Sequence, residues 1–96
     1  MSISIKDLLT LSNPTIIDIR NTYYYNMGHI KGSINIPYYK LLNNYTHYLT
    51  KDETYYIYCD IGDKSSELTE KLNSIGYNII NIEGGYLTYS RLKEKA

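Results

Sequence analysis

Short apolar runs alternate along the chain with segments that have the periodicity of a helix. Three runs are rich in β-branched or aromatic residues and have the length of strands, and the first follows the turn signal Asn13-Pro14. Two shorter runs have the character of edge strands, and Pro37 ends the second because it cannot donate a hydrogen bond to a sheet. The sequence therefore predicts strands over residues 15–19, 55–59 and 78–82 and, at the edges, 2–5 and 33–36.

The clearest helix lies between the last two of the long apolar runs. Leu68, Leu72 and Ile75 share one helical face, and charged residues occupy other positions. Gly76 follows where a helix commonly ends in a left-handed residue, which predicts a helix over about residues 64–75. Alternation of strands and helices is typical of an α/β fold with a mostly parallel sheet covered by helices. Further helices are predicted over residues 6–11, 22–27, 86–95 and, with a weaker pattern, 38–48.

Length and composition indicate one globular domain spanning residues 1–96. A chain of 96 residues has no room for a second core, and 43% hydrophobic with 21% charged residues argues against disorder. Ten Lys and Arg balance ten Asp and Glu, so the chain lacks the positive charge that would attract nucleic acid or anionic lipid. With no apolar run of roughly 18 to 20 residues and no signal-peptide pattern, we expect a cytoplasmic protein without a membrane or nucleic-acid partner.

The single cysteine, Cys59, is the strongest chemical signal in the sequence. Having no second cysteine, the chain cannot form an internal disulfide or a Cys-rich metal site. Cys59 ends a predicted strand just before a predicted helix, whose unpaired N–H groups favour a thiolate. Lys64 would add a cation, and Gly62 would let the loop curl around the sulfur. The alternative is that Cys59 is a small buried hydrophobe that ends a core strand.

Several segments, in register along the chain, carry a resemblance to a known family. The loop from Tyr58 to Ser65 matches the pattern Tyr-Cys-x-x-Gly-x-Arg-Ser, except that Lys64 stands in the Arg position. The chain resembles a single-domain rhodanese, a sulfurtransferase family, over nearly its whole length. This resemblance implies a three-layer α/β domain with about five mostly parallel strands flanked by helices. The other matching segments are Asp18-Ile19-Arg20, the stretch from Gly28 to Pro37, Gly76-Tyr77 and Gly84-Gly85.

The resemblance implies that Cys59 is a nucleophile. Its thiolate would take the outer sulfur of thiosulfate, a persulfide or a polysulfide, hold it as a persulfide, and pass it to a thiol or to cyanide. The implied partners are a small-molecule sulfur donor or a persulfide carrier protein, and a thiol acceptor; no cofactor and no metal ion is implied. The residues expected to bind the substrate follow Cys59 in the loop: Asp60, Ile61, Gly62, Asp63, Lys64 and Ser65.

Three loop residues affect the choice of sulfur donor. Lys64 retains a positive charge but lacks the planar fork with which Arg pairs bidentately with an oxyanion. Asp60 and Asp63 would repel a small dianion and oppose formation of the thiolate. A protein-borne or low-molecular-weight persulfide is therefore a more natural donor than thiosulfate.

Two other functions stay open on the sequence. A non-catalytic binding or redox-sensing module would also retain Cys59, and Lys64 and the loop acids would fit such a loss of activity. A cysteine phosphatase of related fold is less favoured because its Cys-x5-Arg loop is one residue longer, and the sixth position after Cys59 is Ser65.

Structural roles are favoured for the remaining conspicuous residues. Asp18 and Arg20 are expected to form a hydrogen-bonded pair that anchors loops, and His29 is expected to have a structural place. His47 is predicted to lie on the surface, in a polar Tyr-rich stretch. At least one tyrosine of residues 23–25 is expected to pack on the sheet, although this run would also suit stacking on a ligand. Gly84 and Gly85 are expected to form a tight turn beside the Cys59 loop.

Overall fold

A computed structural model describes residues 1–94 of the chain. Within this range the strands are Ser2–Ile3 (β1), Thr15–Asp18 (β2), Ile34–Asn35 (β3), Thr54–Tyr58 (β4) and Asn78–Ile82 (β5). They form one sheet in the order β1-β5-β4-β2-β3, and every neighbouring pair is parallel. The helices are Ile5–Leu8 (α1), Thr22–Met27 (α2), Tyr38–Asn43 (α3), Tyr45–Tyr48 (α4), Asp63–Ser74 (α5) and Gly85–Glu94 (α6).

Both faces of the sheet are buried, and neighbouring residues of a strand point to opposite faces. Ile17 of β2 and Ile57 of β4 belong to one buried cluster, whereas their chain neighbours Ile16 and Tyr58 belong to a second cluster. Helices α3 and α5 contribute to the first cluster through Leu41, Leu68 and Leu72. Helices α1 and α6 contribute to the second through Ile5, Leu8 and Tyr89. The predicted α/β fold, with helices flanking a parallel sheet, is therefore confirmed.

The structure corrects the predicted end of the longest helix. Leu68 and Leu72 are buried as expected, but Ile75 is 41% exposed. The helix stops at Ser74, and Ile75 has φ −107° and ψ 15°, so its side chain leaves the buried face of α5. Gly76 has the predicted left-handed backbone, with φ 103°.

The predicted helix over residues 38–48 is also wrong as a single element. Asn44 separates α3 from α4 because its backbone, with φ −139° and ψ 31°, is not helical. The first helix starts one residue early, at Ile5, since the side chain of Ser4 caps the amide of Asp7. The predicted C-terminal helix begins at Gly85 and is described as far as Glu94, and Lys95 lies outside the described residues.

The parallel sheet brings separate segments to one edge. β4 pairs with β2 on one side and with β5 on the other. Arg20, Cys59 and Gly84 each follow the carboxyl end of one of these strands by one or two residues. This edge is where α/β folds commonly bind ligands.

Across residues 1–94, no helix combines the length and the apolar character needed to traverse a bilayer.

Candidate active site

Cys59 occupies the turn between β4 and α5. Its side chain is 6% exposed, and it is a free thiol one residue past the end of the strand. Gly62, with φ 101°, adopts a left-handed backbone that other residues rarely tolerate, and α5 begins at the next residue. This turn directs the start of α5 toward the sulfur.

Three groups of the loop contact the Cys59 sulfur. The amide of Gly62 donates a hydrogen bond to Sγ at 3.1 Å, and the Ser65 hydroxyl lies 3.3 Å from Sγ. The thiol donates to Asp63 Oδ1 at 3.5 Å. The Gly62 amide and the Ser65 hydroxyl can stabilise negative charge on sulfur, whereas the Asp63 carboxylate opposes it.

Asp63 is held as a carboxylate by its position at the start of α5. The backbone N–H of Lys64 is the main cause that lowers its pKa, and the hydrogen bond from the Cys59 thiol lowers this pKa further. The side chain is therefore ionised at neutral pH. In the resting structure a negative charge stands beside the thiol, as the sequence predicted for the loop acids.

The glycine pair after β5 supports the loop from behind. The amides of Tyr86 and Leu87 donate to the carbonyls of Cys59 and Asp60 at 2.9 and 3.0 Å. Gly85 has φ 56°, and a Cβ atom there would collide with the Cys59 carbonyl oxygen. The predicted tight turn beside the Cys59 loop is confirmed, and Gly85 has both a conformational and a steric reason to lack a side chain.

Asp18 and Arg20 form the predicted structural pair. Asp18 is fully buried, and its Oδ2 accepts from Arg20 Nη2 at 2.7 Å. Arg20 also donates to the Gly28 carbonyl at 2.7 Å and lies over the Tyr86 ring at 4.2 Å. Burial opposes the charge on Arg20, but the hydrogen-bonded Asp18 carboxylate outweighs it and raises the pKa of the guanidinium.

Tyr58 also belongs to this network, which was not predicted from the sequence. Its hydroxyl donates to Asp18 Oδ2 at 2.6 Å and accepts from the Ile30 amide at 3.0 Å. Burial, and then the hydrogen bond to Asp18, raises the pKa of Tyr58, so the hydroxyl stays protonated and donates. A tyrosine at the fully buried end of a core strand was the available signal, because such a hydroxyl requires a partner.

The histidines lie as predicted. His29 donates from Nδ1 to the Tyr25 carbonyl at 2.8 Å and stacks on the Tyr25 ring at 3.8 Å. His47 is exposed at the surface.

Within the tyrosine run of residues 23–25, Tyr25 is anchored, because its hydroxyl donates to the Ser33 carbonyl at 2.6 Å, whereas Tyr23 is 65% exposed.

A pocket of about 390 Å³ opens beside Cys59. Its volume is within the range of small-molecule sites, which is roughly 300 to 1,000 Å³. The ammonium group of Lys64 lies 5.2 Å from the Tyr38 ring and 5.8 Å from the Tyr39 ring. The lining residues are Ile19, Arg20, Asn21, Tyr24, Pro37, Tyr38, Tyr39, Cys59, Asp60 and Lys64.

Comparison with protein families identifies the fold. The model of the Rhodanese-like domain matches residues 4–92. The chain belongs to the rhodanese-like family. A rhodanese-related protein from Thermoplasma volcanium has a similar structure, with a TM-score of 0.85 and 32% identity, and the match covers 94% of this chain and 90% of that one.

Several curated relatives of this rhodanese-like chain are named as sulfurtransferases, and others as tRNA uridine(34) hydroxylases. A thiosulfate sulfurtransferase, PspE, of Escherichia coli is 33% identical over 72% of this chain and 67% of its own. An adenylyltransferase and sulfurtransferase, uba4, of Ogataea parapolymorpha is 32% identical over 93% of this chain. The match covers only 23% of the Ogataea protein, and 23 to 30% of the next relatives, so this chain corresponds to a part of those proteins.

The residues of the rhodanese-like loop do not all face the sulfur. Gly62, Asp63 and Ser65 contact it directly. Asp60 is directed elsewhere, with its carboxylate 4.0 Å from Arg20 Nη1, and Ile61 is 60% exposed. Lys64 lies in the pocket wall on the tyrosine rings. One backbone amide and one hydroxyl of the loop thus contact the sulfur, and the substrate-binding roles of all six loop residues stay predictions.

Proposed function

We propose that the protein is a sulfurtransferase that carries sulfane sulfur as a persulfide on Cys59. The observation that supports this most is the position of Cys59 in a rhodanese-like loop. The sulfur accepts a hydrogen bond from the Gly62 amide and borders an open pocket. The Gly62 amide and the Ser65 hydroxyl contact Sγ and would stabilise the negative charge of the thiolate that attacks the donor and is regenerated by the acceptor.

The proposed reaction has two balanced steps. The Cys59 thiolate first attacks the outer sulfur of the donor, an S–S bond to Cys59 forms, and the donor's own S–S bond breaks. Sulfite, when the donor is thiosulfate, or a thiolate, when it is a persulfide, leaves with the electron pair. An acceptor thiolate or cyanide then attacks the outer sulfur, and the Cys59 thiolate is regenerated.

The donor is proposed to be a persulfide or polysulfide rather than free thiosulfate. Asp63 places a negative charge 3.5 Å from the sulfur, and Asp60 adds another at the edge of the pocket. Thiosulfate brings two negative charges toward these acids, whereas a persulfide brings at most one to the reacting end. A thiol acceptor and a cytoplasmic location stay predictions that accompany this proposal.

A non-catalytic sensing module is the second candidate. It is favoured by the same Asp63 contact, because a thiol that donates to a carboxylate is a weaker nucleophile than a thiolate. The two functions differ in whether sulfur moves on from Cys59 to an acceptor. A sensing module would hold or lose the modification without passing sulfur to a second molecule.

Separating the two half-reactions tests the proposal. The protein would be incubated with a polysulfide, freed of donor by gel filtration, and then mixed with cyanide or a thiol. We expect about one equivalent of thiocyanate or of new persulfide per protein, released only after the acceptor is added. A protein that binds no sulfur, or that keeps its sulfur when the acceptor is present, would contradict transfer. Cys59-dependent hydrolysis of p-nitrophenyl phosphate would instead indicate phosphatase chemistry.

The substitution Asp63→Asn is expected to make Cys59 more reactive. Removing a unit charge about 4 Å away changes an ionisation equilibrium in water roughly 5-fold, and asparagine retains an oxygen for the Lys64 amide. Iodoacetamide alkylation near neutral pH should therefore accelerate roughly 5-fold.

Asp60→Asn is the matched control for that experiment. It removes the same charge from the same loop, but the Asp60 carboxylate is 71% exposed and faces Arg20. We expect a smaller acceleration than for Asp63→Asn, and one that fades as salt concentration rises. Equal effects of the two substitutions would show that the contact between Asp63 and the thiol does not control reactivity.

A further inference from the structure

The pocket beside Cys59 has walls that a small inorganic anion would not use. Three tyrosine rings, of Tyr24, Tyr38 and Tyr39, line it together with the apolar side chains of Ile19 and Pro37. Aromatic walls of this kind contribute to binding through contact area with a planar or apolar ligand. The sulfur of a donor reaches Cys59, and this surface lies where the remainder of a larger donor would be.

Tyr24 and Tyr39 each meet one neighbouring tyrosine edge-on, Tyr23 and Tyr38 respectively, and neither belongs to a buried cluster of the described residues. Helix α2, which carries Tyr24, contributes no buried residue, and Tyr24 is 52% exposed. Tyr39 is 67% exposed, and its ring meets only the edge of Tyr38 and the Lys64 ammonium among the aromatic contacts of residues 1–94. By contrast, Tyr25 in the same run is fixed by its hydroxyl bond to Ser33. The two exposed rings therefore face the pocket without supporting the core.

The charges of the pocket fit an organic donor with one negative charge. The Arg20 guanidinium is already paired with the buried Asp18, and Asp60 stands 4.0 Å from it. Lys64 contributes an exposed cation, held between the Tyr38 and Tyr39 rings. A monoanion with an apolar body would contact both the Lys64 ammonium and the three tyrosine rings. A compact inorganic dianion would contact the same ammonium but would gain nothing from the rings.

We propose that this pocket selects organic sulfane-sulfur donors with a planar or apolar body, and that Tyr24 and Tyr39 determine this specificity. The proposal rests on the proposed function, because it names the substrate class of the same cysteine. A thiosulfonate, R–SO₂–S⁻, is one such organic donor. In the first step of transfer, the Cys59 thiolate attacks its terminal sulfur. The bond between the two donor sulfurs breaks, and the sulfinate R–SO₂⁻ leaves with the electron pair while Cys59 becomes a persulfide.

Two donors of equal charge and equal reacting group test the specificity. Methanethiosulfonate and benzenethiosulfonate differ only in the body that would lie against the rings. We define a normalised ratio as kcat/KM for the benzene donor divided by kcat/KM for the methane donor, both for sulfur transfer to cyanide, and then divided by the ratio of the rates of the two donors with free dithiothreitol. The second division corrects for the difference in intrinsic reactivity between the donors. We expect the wild type to favour the benzene donor by about 10-fold on this scale, since each aromatic pair favours association roughly 2- to 12-fold.

Tyrosine variants connect this preference to the pocket. Tyr24→Ala and Tyr39→Ala should each lower the normalised ratio about 3- to 10-fold, whereas the corresponding Phe variants should retain it. Tyr23→Ala is the matched control, because Tyr23 is 65% exposed on the same helix but does not line the pocket. Its ratio should equal that of the wild type. The three substituted positions are exposed, and thermal unfolding would verify that each of the five variants is folded.

The outcomes distinguish the two proposals. If both donors load Cys59 but the normalised ratio is near one, or is unchanged in the Ala variants, the specificity proposal is overturned and sulfur transfer stands. If neither donor nor polysulfide loads Cys59, both proposals fail. A loss of ratio in Tyr23→Ala equal to that in Tyr24→Ala would show that the pocket wall is not what discriminates.

Discussion

Cys59→Ser is expected to abolish sulfur transfer from polysulfide to cyanide. Serine fits the same space, but its hydroxyl is a far weaker nucleophile than a thiolate and forms no persulfide. No second cysteine exists in the chain to replace it. Loss of an enzyme's nucleophile commonly costs several orders of magnitude, so we expect kcat/KM to fall by roughly 1,000-fold or more. Thiocyanate formation at steady state measures this loss.

Ser66→Ala is the control for the loss of the nucleophile. Ser66 is an exposed residue of the first turn of α5, close to Cys59 in the chain but outside the contacts of its sulfur. Its variant should transfer sulfur at the wild-type rate. Transfer by Cys59→Ser at a rate comparable with the wild type would mean that the reaction does not use the thiol.

Asp18→Ala is expected to lower the free energy of unfolding more than any other substitution proposed here. Asp18 is fully buried and accepts hydrogen bonds from both Arg20 and Tyr58. Alanine would leave a buried guanidinium and a buried hydroxyl without their acceptor. Breaking a buried ion pair costs about 3 to 5 kcal/mol, which for a domain of this size lowers Tm by about 12 °C or more. Thermal or urea unfolding measures the effect.

Asp52→Ala provides the comparison for that measurement. Asp52 is an exposed aspartate in the turn before β4. Substitution there should change the free energy of unfolding by about 0.5 kcal/mol or less. If Asp18→Ala were as mild as Asp52→Ala, the Asp18 network would not be what anchors the loops around the site.

The long strands and α5 were predictable because local patterns determine them. The runs at β2, β4 and β5 combine β-branched and aromatic residues with turn signals, and their ends were predicted within one residue. Helix α5 has a clear apolar stripe and a terminal Gly76. The division between α3 and α4 was missed, since the backbone of Asn44 leaves the helical region in a Tyr-rich segment that lacks a clear pattern.

The site was predictable in its position but not in its detailed contacts. Cys59, the α5 N-terminus and Gly84-Gly85 come together because strand ends in a parallel sheet meet at one edge. The path of the backbone through Gly62 determines which loop acid faces the sulfur. The sequence pattern alone does not distinguish Asp60 from Asp63 in this respect. Tyr24 of α2 and Tyr39 of α3 line the same pocket although they are distant in the chain, and no local pattern indicates this arrangement.

The intact mass of the protein tests the central claim most directly. After incubation with polysulfide and removal of excess donor, the wild type should gain the mass of one sulfur atom, and peptide mapping should place it on Cys59. Cyanide should remove this mass and yield thiocyanate, and Cys59→Ser should show no gain. A wild-type mass that does not change, or a gain that persists in Cys59→Ser, would contradict the assignment of Cys59 as a sulfur carrier.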